Sequence, residues 1–122
     1  MSVMAAVDDL FFAARIRETA RQVGVPVEIV PAAEFEAALA RRQDRNGTDF
    51  VIVDLNSIEA VDLIRKLKAN TYSSPIFIVG FASHVASELI AAARMAGCDQ
   101  VMARSAFTQQ LPDLLRRLCA KQ

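Results

Sequence analysis

Short runs of apolar residues alternate along the chain with longer segments in which apolar residues recur at the period of an α-helix. The runs fall at residues 2–7, 26–30, 49–54, 75–80 and 99–103. Short runs without polar alternation are typical of strands that are covered on both faces, as in a parallel sheet between layers of helices. The pattern therefore predicts five parallel strands, each followed by a helix.

The segments between the runs carry signals of helix ends. Residues 10–23 place Phe12, Ile16 and Ala20 on one stripe, and Gly24 stops that helix shortly before Pro26. Further helices are predicted over 32–42, 58–69 and 84–96, with Asn46-Gly47 as a turn before the third strand and Gly97 as the end of the fourth helix.

The last helix carries Leu111, Leu114, Leu115 and Leu118. Proline is tolerated in the first turn of a helix but not in its interior. Pro112 therefore predicts that the helix begins close to that residue, with a separate turn before it.

A right-handed βα alternation of this length predicts a doubly wound, flavodoxin-like α/β fold with strand order 2-1-3-4-5 and helices on both faces. The 122 residues correspond to one domain, 1–122. A hydrophobic fraction of 53% and a charged fraction of 23% exclude a disordered chain. In such a sheet ligands bind at the carboxyl ends of the strands, which is where chemistry is expected.

Charge and composition exclude several classes of function. Fourteen basic residues balance fourteen acidic ones, so no overall field favours nucleic acid. The apolar run 3–7 is too short for a membrane span or a signal, which predicts a cytoplasmic protein without membrane contact. Cys98 and Cys119 lack CxxC spacing and are expected to be reduced thiols, and the single histidine, His84, cannot form a metal cluster alone. The hydrolase and nucleotide-binding motifs are absent, which argues against an enzyme.

Charged residues follow the predicted strands at their carboxyl ends. Asp8 and Asp9 follow the first strand, Asp54 ends the third, Gly80 ends the fourth and Arg104 follows the fifth. Because strands one and three are neighbours in the predicted order, three carboxylates should crowd one edge. Their repulsion is costly unless a base or a divalent cation offsets it. Arg104 or a metal could do so.

Structural interpretations of the same residues stay open. One acid of the Asp8–Asp9 pair could cap the helix that follows while the other favours its positive end. Asp54 could be an ordinary loop acid, although four apolar residues lead up to it. Arg104 could be a structural partner of the acids. His84 could simply begin a helix.

The stretches AAVDDL, VIVDL and AGCDQVMARSAF resemble the receiver domains of bacterial two-component response regulators, and the resemblance extends over essentially the whole chain. It implies that Asp8 and Asp9 are the acids that help to hold Mg²⁺ and that Asp54 accepts a phosphoryl group. It also implies Asp54 itself and the Asn56 backbone carbonyl as metal ligands, and Arg104 in place of the family's lysine. A carboxylate can attack phosphorus when a metal and a base offset the charge.

The chain departs from the family pattern where the family has its switch. Gly80 stands where the family has a hydroxyl residue at the end of strand four, and an apparent two-residue insertion, FASH, follows. Ser83 or His84 could substitute for the missing hydroxyl. After the fifth strand, Arg104-Ser105 replaces the family's lysine-proline. Full switching takes about 5.5 kcal/mol, and a hydrogen bond to a charged group contributes about 1.5–3 kcal/mol. The loss of the hydrogen bond from this hydroxyl predicts impaired or altered switching.

Three functional hypotheses follow. The first is a stand-alone receiver-like signalling protein that docks with a partner protein, a sensor kinase or a second copy of itself, through the fourth helix, fifth strand and fifth helix. The second is a Mg²⁺-dependent phosphoacceptor that uses Asp54 in a phosphorelay. The third is a small enzyme or cofactor carrier at the same carboxyl edge, because one fold hosts many functions.

Overall fold

The computed structural model describes residues 3–43, 50–69, 76–83 and 87–120. The strands are β1 Val3–Ala6, β2 Val27–Val30, β3 Phe50–Asp54, β4 Phe77–Ala82 and β5 Gln100–Ala103. The helices are α1 Leu10–Val23, α2 Phe35–Gln43, α3 Ala60–Ala69, α4 Ser87–Ala96 and α5 Arg104–Ala120, with a 3-10 turn at Ala32–Glu34. The predicted Asn46-Gly47 turn and the helix start at His84 lie outside the described residues.

The strands form one parallel sheet in the order β2-β1-β3-β4-β5, which confirms the predicted doubly wound order. Apolar residues of α2, α3 and α4 cover one face of the sheet, and those of α1 and α5 cover the other. All five residues of β3 are buried, which explains the unbroken apolar run that precedes Asp54. The sheet therefore has two buried faces, and its strand ends remain for a site.

The ends of α1 follow the sequence signals. Asp9 is the N-cap, and its Oδ1 accepts hydrogen bonds from the N–H groups of Phe11 and Phe12 at 2.9 and 3.2 Å. Gly24 closes the helix with φ at 74°, a left-handed conformation that glycine adopts without steric cost. The helix spans residues 10–23 as predicted because both ends carry strong local signals.

The predicted start of the last helix near Pro112 is wrong. α5 begins at Arg104 and continues through Pro112. Phe107 and Leu111 before the proline and Leu114 and Leu115 after it are all buried against the sheet. Burying side chains of this size contributes about 1.5–3 kcal/mol each, which outweighs the roughly 3 kcal/mol cost of an interior proline.

Strand β4 does not end at Gly80, as the sequence pattern predicts, but continues to Ala82. Its register pairs Gly80 with Val53 and Phe81 with Asp54. The Leu55 N–H donates to the Phe81 carbonyl oxygen at 3.0 Å and extends the pairing. The first two residues of the apparent FASH insertion therefore belong to the strand, because both are apolar and fully buried.

Candidate functional site

The predicted site residues meet at one cavity of about 350 Å³ at the carboxyl edge of the sheet. Its lining residues are Asp8, Asp9, Asp54, Asn56, Ser57, Ile58, Glu59 and Arg104. The structure thus brings together the five residues that the sequence singled out. It adds Ser57, Ile58 and Glu59, which the sequence shows only as part of a loop.

Asp54 is the last residue of β3 and is only 3% exposed. Its Oδ1 accepts a hydrogen bond from the Asn56 N–H at 3.0 Å. A carboxylate this buried at a strand end is not an ordinary loop acid, so that alternative is wrong. Among the described residues it is the one buried charged side chain.

Burial raises the pKa of the Asp54 carboxyl above its ordinary value of 3.8. The Asn56 N–H and the Arg104 charge oppose this change in pKa, while the charges of Asp9 and Asp8 add to it. Desolvation is the largest of these effects. The cavity therefore holds its central carboxylate at a cost that a cation near it would reduce.

Asp8 is held on both oxygens. Its Oδ1 accepts from the Ala32 N–H at 2.9 Å, and its Oδ2 contacts the Ser57 hydroxyl oxygen at 2.7 Å. The Ser57 oxygen also lies 3.0 Å from Glu59 Oε1, although a hydroxyl has one proton to donate. Sequence reasoning missed these partners because they come from two other loops, and no local pattern marks them.

Asp9 combines the capping role with a place in the cavity. Its Oδ1 is used by the first turn of α1, which confirms the capping interpretation. Its Oδ2 accepts no hydrogen bond from the described residues. One oxygen thus stays available at the cavity, and capping does not exclude cation binding.

Arg104 is the first residue of α5 and lines the cavity. Its guanidinium carbon lies 5.3 Å from the centre of the Phe12 ring, within cation–π range. Its Nε is buried and has no hydrogen-bond partner. None of the ion pairs found in the described part of the chain joins it to Asp8, Asp9 or Asp54. Its charge nonetheless acts on Asp54, whose pKa it lowers, so its partnership with the acids is electrostatic and involves no direct ion pair among the described residues.

Phe81 is the residue of β4 that lies beside Asp54. Partners in a parallel register direct their side chains to the same face, so this position, and not Gly80, is adjacent to the carboxylate. Phe81 stacks between Phe12 and Phe107, with ring centres 4.6 and 4.4 Å away. Ser83 is half-buried and is not among the described residues that line the cavity.

His84 lies outside the described residues, so its two interpretations stay predictions. Gly80 lies on the face of the sheet opposite to the Asp54 side chain, and a Cβ atom at Gly80 would lie 2.9 Å from Leu55 Cδ2. A hydroxyl side chain at Gly80 would therefore meet Leu55 and not the cavity.

The oxygen donors around the cavity fit Mg²⁺ by their chemistry. Mg²⁺ is usually bound by one or two carboxylates and keeps several waters, and it needs no closed cage of side chains. Within the described ranges no group of three His, Cys, Asp or Glu side chains is arranged to hold a metal. The residues present match a one- or two-carboxylate site, and Asn56 is among the residues that line it.

Cys98 is a buried free thiol whose Sγ lies 3.2 Å from the Gln100 carbonyl oxygen, and burial raises the pKa of that thiol. It occupies a packing position, as predicted. The Cys119 side chain lies outside the described residues. No described helix is long and apolar enough to cross a membrane.

No family model matches the sequence, and no curated protein matches it either. Solved structures do. A response regulator from Thermotoga maritima superposes with a TM-score of 0.73 at 17% identity, covering 98% of this chain and 97% of that one. A second match is the receiver domain of a sensor histidine kinase from Pseudomonas aeruginosa PAO1, with a magnesium ion coordinated in its active-site cleft. It superposes with a TM-score of 0.75 at 18% identity, covering 95% of this chain and 94% of that one.

The chemotaxis response regulator CheY4 of Vibrio cholerae gives a TM-score of 0.75 at 18% identity, covering 95% of this chain and 96% of that one. These matches extend over nearly the full length of each chain. The chain therefore has the receiver-domain fold, as its strand order already indicates.

Proposed function

We propose that this protein, which has the receiver-domain fold, is a response-regulator-like signalling protein that acts by binding a partner protein, with impaired or altered switching by phosphorylation. The observation that carries the proposal is the pairing of Asp54 with Phe81 in the strand register. The neighbour of the phosphoacceptor candidate is a buried ring and not a hydroxyl.

The energetic reason is that Phe81 can neither donate a hydrogen bond nor move easily. It is fully buried and stacked on two other rings. A hydrogen bond to a charged group contributes about 1.5–3 kcal/mol, a large part of the roughly 5.5 kcal/mol that full switching takes. A phosphoryl group on Asp54 would lack this contribution from β4. The core around the stack would also resist a rearrangement, because close-packed interiors do not deform gradually.

The proposal assigns roles to the cavity residues. Asp9, Asp54 and the Asn56 carbonyl would hold Mg²⁺, with Asp8 close by and fixed through the Ser57 hydroxyl. The metal would offset the carboxylate charges so that an anionic phosphoryl donor can approach Asp54. Arg104 would supply a second positive charge, as a planar fork and not as the point charge of a lysine. The magnesium ion in the Pseudomonas receiver domain supports the choice of metal.

The proposed docking face is made of α4, β5 and α5. Met95 on α4 is 90% exposed, and Ala91 and Ala92 beside it are exposed as well. A large apolar side chain among small residues on a helix suits contact with a partner protein, either a sensor kinase or a second copy of this chain. A face of this kind can act whether or not Asp54 carries phosphate.

The intact mass of the protein after incubation with Mg²⁺ and acetyl phosphate tests the proposal, with Asp54→Asn as the matched variant. We expect that any phosphoryl adduct depends on Asp54 and that amide NMR signals of α4, β5 and α5 stay unchanged when it forms. An Asp54-dependent adduct that shifts those signals would contradict impaired switching and would favour a working phosphoacceptor. A folded parent without any adduct would agree with docking that is independent of phosphate.

A further inference from the structure

We propose that Phe12 is a positioning residue that holds the Arg104 guanidinium away from the carboxylates of the cavity and so keeps them open to a divalent cation. This inference rests on the metal site of the proposed function. The family resemblance assigns no role to this ring.

The position of Arg104 is unusual for a cation. It is the first residue of α5, where the partial positive charge of a helix N-terminus disfavours a basic side chain. Three aspartates line the same cavity, yet within the described residues Arg104 forms no ion pair with them. Its buried Nε gains no hydrogen bond in exchange. Some other contact must therefore hold the guanidinium where it lies.

Phe12 supplies that contact. Its ring centre lies 5.3 Å from the guanidinium carbon, and the ring is itself fixed by the stack on Phe81 at 4.6 Å. The backbone N–H of Phe12 donates to Asp9 Oδ1 at 3.2 Å. The same residue thus orients an acid of the cavity through its main chain and the base of the cavity through its side chain.

The consequence is a separation of charge inside the cavity. With Arg104 on the ring, Asp54 keeps one oxygen that accepts no hydrogen bond from the described residues, as does Asp9. A guanidinium released from the ring would be attracted to these oxygens and would compete with a metal for them. A cation–π contact changes an equilibrium by roughly 2-fold at an exposed site and by roughly 30-fold when it is desolvated, which sets the scale of the effect.

The chain offers a matched control in Phe107. This residue belongs to the same aromatic stack, 4.4 Å from Phe81, but the cation–π contact is made by Phe12 alone of the two. Phe107→Leu should loosen the stack much as Phe12→Leu does, without releasing Arg104. Phe12→Tyr keeps a ring and serves as the conservative variant.

The experiment measures Mn²⁺ affinity from the electron paramagnetic resonance of the free ion, for the parent, Phe12→Leu, Phe107→Leu, Phe12→Tyr, Arg104→Gln and the Phe12→Leu/Arg104→Gln double variant. We expect Phe12→Leu to weaken binding roughly 3- to 10-fold, and Phe107→Leu and Phe12→Tyr to change it by less than about 2-fold. Arg104→Gln should tighten binding, and in that background Phe12→Leu should have no further effect.

The NMR signal of the Arg104 Nε proton gives a readout that does not depend on metal. A proton held over a ring has an upfield shift, which should be lost in Phe12→Leu and kept in Phe107→Leu. Equal effects of the two leucine variants on Mn²⁺ binding, or a loss in Phe12→Leu that persists with Arg104→Gln, would overturn the inference. If Phe12→Leu does not fold, unchanged or weaker binding by Arg104→Gln would overturn it. A parent that binds no Mn²⁺ would overturn the metal site of the proposed function as well.

Discussion

At the scale of single residues, Asp54 is the centre of the site because it is charged, buried and close to two other acids. Burial is the main reason that the pKa of its carboxyl lies above the ordinary value, and Arg104 offsets this only in part. In the folded protein the neutral acid is therefore favoured relative to the unfolded chain. The ionised form, which the proposed phosphoacceptor role requires, weakens the fold unless a cation offsets its charge.

Asp54→Asn should stabilise the metal-free protein at neutral pH. Because the pKa is raised on folding, the folded state binds a proton more tightly, and the stability of the parent falls as pH rises from 3.8 through the folded pKa. The variant lacks this loss, so its advantage over the parent should grow with pH and then level off. Urea unfolding in a chelating buffer from pH 4 to pH 8 measures it.

Asp113→Asn on α5 is the matched control, since that side chain is 78% exposed and its ion pair within the described part of the chain is with Arg116. Its stability difference from the parent should stay small and change little with pH. A parent that is as stable as Asp54→Asn at every pH would contradict the burial argument.

The sequence predicted which residues meet at the cavity but not what surrounds them. Asp8, Asp9, Asp54, Asn56 and Arg104 could be placed together because parallel strands end at one edge of a sheet. The ring beside Asp54 could not be found, because a one-residue difference in the register between β3 and β4 changes which residue faces the carboxylate. The Ser57–Asp8 contact joins residues 49 positions apart, and no local pattern encodes it.

At the scale of elements, the residue that follows β3, Leu55, packs directly against Gly80 of β4. The methyl carbons of Leu55 occupy the space that a Cβ at Gly80 would need, at 2.9 and 3.0 Å, and Leu55 is itself buried. The glycine is required here for space and not for an unusual backbone conformation. This contact fixes the residue that follows Asp54, and with it the start of the loop that carries Asn56.

Gly80→Ala should destabilise the protein by about 1–3 kcal/mol, the usual cost of overfilling a packed core. Leu55→Ala alone should cost about 2–5 kcal/mol through the cavity it leaves. In the double variant the alanine at position 80 meets a shorter neighbour, so its cost should largely disappear. Chemical denaturation of the four proteins measures the coupling, and strictly additive effects would contradict the steric explanation.

Element boundaries were predicted well where caps set them and poorly where packing set them. The ends of α1 agree because Asp9 and Gly24 act locally. The start of α5 was wrong because the proline rule is local, whereas the helix gains its stability from burial on both sides of Pro112. The end of β4 was wrong for the same reason, since pairing with β3 continues past a glycine.

At the scale of the whole molecule, the two ends of the sheet differ in how their polar groups are satisfied. At the amino end of β4, Asp99 Oδ2 accepts from the Ile78 N–H at 2.8 Å and from Lys68 Nζ at 2.7 Å. Lys68 Nζ also donates to the Ile76 carbonyl oxygen at 2.8 Å. At the carboxyl end, the acids surround an open cavity and the base lies on a ring. Among the described residues, the polar groups beside the amino end of β4 are paired with one another, whereas the cavity at the carboxyl end has carboxylate oxygens available to a ligand.

Met95→Asp should weaken complexes of this protein at least tenfold, because a charge in an apolar interface is costly to desolvate. The measurement compares the amount of each partner recovered with the parent and with the variant, together with self-association by sedimentation. Ala14→Asp on the exposed side of α1 is the control for an added charge on another face. Equal losses from both variants, or none from Met95→Asp, would contradict docking through α4, β5 and α5.

The Phe81 stack also has an evolutionary consequence. Phenylalanine and serine codons differ by a single nucleotide, so a hydroxyl beside Asp54 lies one mutation away. That mutation would remove the middle ring of three, and losing a buried phenylalanine costs about 3–5 kcal/mol out of a total stability of about 5–15 kcal/mol. A chain that acquired a hydroxyl at this position would also have to rebuild the packing around it. Replacing the aromatic neighbour of Asp54 by a hydroxyl residue therefore takes one nucleotide change but costs a large part of the stability of the protein.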